Sequence, residues 1–178
     1  MDRTPRKKTV NAEPVMDVRA VTFEPNTGIS KQDRKALADR LGMALSDTYV
    51  LYVKTQGFHW NVAGPLFYSL HKLTQAQYED MFGAIDQLAE RIRAIGYPAP
   101  ASFAQFAARS DIKEEQRIPT TEEMVEQLVD GNEICARNLR AAVKVAADAE
   151  DVKTADLLTE RVGQHEQNVW MLRALLAK

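Results

Sequence analysis

Apolar residues recur at intervals of three and four through four long stretches of this chain, and no segment alternates as a strand would. Ser30 with Asp33 three residues on has the form of a helix N-cap with an acid in the first turn, and Leu37, Leu41, Leu45, Thr48, Leu51 and Thr55 follow in helical phase. Gly57 to Gly64 interrupts the period, so the first helix is expected to close near Thr55. Pro65 suits the first turn of a second helix, whose stripe of Leu66, Leu70, Leu73, Met81, Leu88 and Ile92 runs to about Ile95 before Gly96 ends it. Pro98, Pro100 and Pro119 mark a long connection with room for one short helix, from Ser102 to Ala108. Thr120 and Glu123 have capping-box spacing at the head of a third helix that reaches Asp148, and a fourth runs from about Asp151 to the end of the chain. The pattern predicts an all-α four-helix bundle with one long crossover between its second and third long helices.

Residues 1–29 hold three prolines and no sustained period, and are expected to form a flexible basic arm ahead of one helical domain at 30–178. Within the first ten residues Arg3, Arg6, Lys7 and Lys8 outweigh Asp2. Such an arm is either a solubilising tail or a set of phosphate contacts. The body is not a general nucleic-acid binder, because 23 Lys and Arg face 25 Asp and Glu, for a formal charge of -2. Cys135 stands alone, which excludes an internal disulfide or a multi-cysteine metal site and suits a reducing compartment. No apolar run reaches the ~20 residues of a membrane span or forms a secretory signal, so a soluble, cytoplasmic protein is expected.

Two of the three histidines, His59 and His71, lie at the junction of the first two helices, and the second helix later carries Asp86 and Glu90. On one helix His71 and Asp86 would stand about 22 Å apart, far beyond the span of one ion's ligand shell, so a single chain cannot close a site from these four groups. Two antiparallel copies of the helix can, with the histidines of one facing the carboxylates of the other. His71, Gln75, Phe82, Asp86 and Glu90 share a stripe turned by about 100° from the apolar one, so the helix has a second face to satisfy. The plainer alternative is a solvated face with His59 in a loop beside Trp60. Two imidazoles and two carboxylates suit iron, zinc or manganese alike.

The segment HWNVAGPLFYSLH, continuing to AIDQLAERIRAIG, closely resembles the Dps family, the DNA-protecting miniferritins of starved cells, and TADLLTERV and VWMLRALL continue the likeness more loosely. The resemblance implies a ferritin-like bundle, assembly into a hollow homo-dodecamer, and oxidation of iron(II), preferably by hydrogen peroxide, at sites shared between two-fold-related subunits. On that pattern His59 and His71 are the metal ligands and catalytic residues from one subunit, and Asp86 and Glu90 those from its mate. Gln75 stands where the family often has an acid, which weakens a second iron position. Bundle-internal di-iron sites use Glu-x-x-His, and that spacing does not occur here. His165 lies on an apolar stripe and is expected to pack. Trp60 is expected at the dimer contact or as a radical trap, and Trp170 in the bundle or a subunit contact.

Asp151, Asp156 and Glu160 are either helix-dipole partners or, by the resemblance, the lining of a three-fold pore that draws cations in. The implied function is iron storage and detoxification by a ferroxidase. Non-specific DNA contact through the arm, with nucleoid association, is a further expectation, and a DNA-compacting protein with little iron chemistry is the alternative.

Overall fold

The computed structural model describes residues 23–177. It contains α1 (Lys31–Asn61), α2 (Phe67–Ala94), a short α3 (Phe103–Arg109), α4 (Thr121–Asp148) and α5 (Val152–Leu176). The start signals act as their chemistry requires. The Ser30 hydroxyl accepts from the Asp33 amide, and Thr120 and Glu123 exchange both bonds of a capping box. Ser102 caps α3, inside the crossover as expected.

α2 begins at Phe67, two residues after Pro65, and the end of α1 differs more. α1 does not stop near Thr55 but continues through Gly57 to Asn61, so His59 is helical rather than looped. A glycine inside a helix costs about 1 kcal/mol relative to alanine, and burial of Phe58 and His59, the next two residues, offsets it.

Side-chain pairings set the topology. His59 meets His71 and Tyr52 meets Tyr78 across α1 and α2. Asp47 meets Asn138 and Lys54 meets Gln127 across α1 and α4. Arg140 pairs with Glu166 and Arg173 with Glu133 across α4 and α5. Each pair of helices is therefore antiparallel, and α2 and α4 run in the same direction, so residues 95–120 must travel back along the bundle. Asp47 holds that crossover in place. Its buried carboxylate accepts from Ser110 Oγ, the Asp111 amide and Asn138 Nδ2, each at 2.8 Å. Burial pushes its pKa up against those three bonds.

The core is aliphatic, built on fully buried Leu41, Leu45, Leu88, Leu128, Leu139 and Leu158. Gly131 allows α1 and α4 to close on each other, since a Cβ there would come 2.7 Å from Leu51 Cδ1. Among the described residues no helix is long and apolar enough to cross a membrane.

The described end of the expected arm touches the bundle. Residues 23–29 lie against the bundle, with the Glu24 carboxylate 2.6 Å from Lys31 Nζ and the Phe23 ring 5.4 Å from the Arg93 guanidinium. Gly96, at φ +100°, makes this possible, because a Cβ there would lie 2.2 Å from the Phe23 carbonyl oxygen. Arg3, Arg6, Lys7 and Lys8 lie outside the described residues.

Candidate metal centre

The five residues between α1 and α2 turn through Gly64 at φ +92°, and the Thr121 hydroxyl donates to the Ala63 carbonyl, fixing the loop to α4. This hairpin brings the last turn of α1 against the second turn of α2. The imidazoles of His59 and His71 stack there, with centroids 3.7 Å apart and planes 17° from parallel. Each donates Nδ1–H to the other's backbone carbonyl, His59 to His71 at 2.8 Å and His71 to His59 at 2.9 Å. A carbonyl can only accept, so the proton of each neutral ring sits on Nδ1 and its lone pair on Nε2. Neither Nε2 makes a hydrogen bond among the described residues. The His59 carbonyl is one of the four that a helix end leaves unpaired, so the bond from His71 satisfies it too.

Aromatic rings frame the pair. Tyr78 stands edge-on to His59 at 5.2 Å, and Phe67 stacks on His71 at 5.1 Å. Neither was marked by sequence spacing, although Phe67 and Tyr78 lie four before and seven after His71, positions that share its side of a helix.

The carboxylates stand elsewhere. Asp86 and Glu90 are exposed on α2, together with Phe82, which is 68% exposed. Because α2 is unbroken, the rise of about 1.5 Å per residue keeps Asp86 far from His71 in the same chain. Among the described residues no three His, Cys, Asp or Glu gather to hold a metal ion. Gln75 Nε2 donates to Glu79 Oε1 at 2.9 Å, so its amide is engaged along its own helix.

The acids of the expected pore separate. Asp151 is the N-cap of α5 and is buried; its carboxylate takes two bonds at 2.7 Å from the Arg91 guanidinium and others from Thr154. Burial raises its pKa, but the Arg91 and Thr154 bonds outweigh that and hold it below the usual range. Within the subunit its carboxylate serves as cap and ion-pair partner. Asp156, paired with Lys153 at 3.3 Å, and Glu160 remain exposed. His165 is fully buried, and burial pushes its pKa down to about 3, as suits a packed neutral ring. Trp170, by contrast, is 67% exposed and does not anchor the bundle.

The ferritin-like domain family matches residues 38–178. A DNA protection during starvation protein from Brevibacillus brevis is 37% identical over 143 residues, covering 80% of this chain and 96% of that one. The Dps protein of Vibrio cholerae, described as a member of the ferritin-like diiron-carboxylate superfamily, superimposes with a TM-score of 0.82 at 30% identity, covering 89% and 99% of the two chains. The chain belongs to the Dps family. Dps relatives need not carry a functional name. An uncharacterised low temperature-induced protein of Nostoc is 38% identical over 85% of this chain and 86% of its own.

Proposed function

We propose that this protein is a ferroxidase and iron store whose oxidation sites are each shared by two subunits. The reading rests on one observation. The reciprocal Nδ1–H bonds of His59 and His71 lock two stacked rings and leave both Nε2 lone pairs free, with no carboxylate gathered beside them among the described residues. Membership in the Dps family supports the rest.

In this account Fe(II) is the substrate. His59 and His71 of one chain bind it through Nε2, while Asp86 and Glu90 of a two-fold mate supply negative charge. The backbone carbonyls fix the tautomer and orientation of both rings, as partners of ligand histidines generally do. The carboxylates offset the charge gained as Fe(II) becomes Fe(III), and each hydrogen peroxide takes one electron from each of two Fe(II) ions, so that its O–O bond breaks and it leaves as two hydroxide ions, or as two waters once protonated. Hydrolysed Fe(III) is stored as ferric mineral inside a hollow homo-oligomer, a dodecamer by the family pattern. Exposed Trp60 and Phe82 belong to the mate contact on this reading, and Asp156 and Glu160 to the cation entrance. Gln75 leaves the second iron position weak, because a neutral amide brings no charge to a hard cation.

The test is anaerobic Fe(II) loading followed by peroxide. His59→Ala, His71→Ala and Asp86→Ala are each expected to slow oxidation at least about tenfold, the usual cost of losing a well-placed ligand or its support. Wild-type rates in all three would reject the site. DNA contact through Arg3, Arg6, Lys7 and Lys8 is the second part of the proposal, supported by the charge of that segment and by the names of the relatives.

A further inference from the structure

The seam between α2 and α5 gathers polar groups in the middle of an aliphatic bundle. Five buried side-chain nitrogen and oxygen atoms lack a hydrogen-bond partner among the described residues, and four of them lie here: Gln77 Nε2 and Oε1, Arg161 Nε and His165 Nε2. Their residues are 3%, 6% and 0% exposed.

Register brings them together. Arg161 pairs with Asp80 through both terminal nitrogens, and Arg91 with Asp151, so α2 and α5 are antiparallel. One turn back from Asp80 along α2 is Gln77, and one turn forward from Arg161 along α5 is His165. In antiparallel helices those two steps lead the same way, so Gln77 and His165 occupy one level of the bundle. The influence of the Asp80 charge on His165 agrees with that placement.

The chemistry of the four atoms selects the ligand. His165 Nδ1 donates to Asn132 Oδ1 at 2.8 Å, which leaves Nε2 as an acceptor. Gln77 Oε1 is a second acceptor, while Gln77 Nε2 and Arg161 Nε are donors. A metal cation does not suit the set, because the guanidinium is part of it and the nearby carboxylate of Asp80 is already bound to Arg161. Water both donates and accepts, and it is the small neutral molecule that satisfies such mixed groups in protein interiors.

We infer that the α2–α5 seam is a built hydration site, in which at least one buried water donates to His165 Nε2 and is held by Gln77 and Arg161. The site is independent of the histidine pair and of iron oxidation. It adds a solvent link between α2, which carries His71, Asp86 and Glu90, and the α4–α5 hairpin to the direct Arg161–Asp80 and Arg91–Asp151 pairs.

A high-resolution crystal structure of the assembled protein tests this. Solvent density within hydrogen-bonding distance of His165 Nε2 and of either the Gln77 amide or Arg161 Nε is expected. Ordered side chains with no density between them, or a direct Gln77–His165 bond, would overturn it. Thermal unfolding of Gln77→Leu, His165→Leu and the double variant reads the same bridge without a crystal. A shared water makes the double variant's loss in Tm smaller than the sum of the single losses, whereas additive losses contradict it.

Discussion

Histidine serves two different ends in this chain, and environment decides which. His165 is sealed in the bundle and kept neutral, with a folded pKa of about 3 against 6.5 for the free ring. The sign follows from the lowered value. The unfolded chain binds the extra proton, so the stability owed to a neutral His165 is complete above about pH 6.5 and is lost as pH falls toward 3, by at most about 1.4 kcal/mol per pH unit. Urea unfolding between about pH 7 and pH 4.5 should show this loss, and His165→Leu should flatten it by about one proton. His59 and His71 lie instead at a helix junction, locked to each other's carbonyls. Their place at that junction was legible from HWNVAGPLFYSLH. The lock was not, because which ring nitrogen meets which carbonyl depends on how the hairpin closes. Asp151 shows the opposite limit, since only the fold reveals that Arg91, sixty residues earlier, reaches its carboxylate.

Helix order, crossover and caps were readable because periodicity and capping chemistry are local. The end of α1 was not, because the tertiary burial of Phe58 and His59 outweighs the weak helix propensity of Gly57. The role of Asp47 was equally hidden. A lone acid inside a helical stripe has no local signature, yet its carboxylate holds Ser110, Asp111 and Asn138 at once. Asp47→Ala would strand these groups, and a loss of about 1–3 kcal/mol is expected, the scale for leaving buried partners unpaired. Chemical denaturation measures that loss. Limited proteolysis should at the same time cut the crossover between residues 95 and 120 faster than in wild type, while an unchanged cleavage pattern would deny Asp47 its anchoring role.

At the scale of the assembly, the single chain leaves Trp60, Phe82, Phe103 and Trp170 at least two-thirds exposed, more bare aromatic surface than an isolated bundle would be expected to keep. The DNA proposal is testable separately. Deleting the first nine residues should abolish the retardation of DNA at low salt, and the intact protein should lose it as salt rises; retardation that survives the deletion removes the arm from the account.

The central claim is that each oxidation site takes ligands from two chains, and co-expression of a His71→Ala chain with an Asp86→Ala chain tests it most directly. Half of the randomly formed dimers pair unlike chains, and each such dimer keeps one undamaged site of its two, so about a quarter of the wild-type Fe(II)–peroxide activity should return. With mixing verified by native mass spectrometry, mixed particles no more active than either variant alone would show that the histidines and carboxylates do not act across a subunit contact.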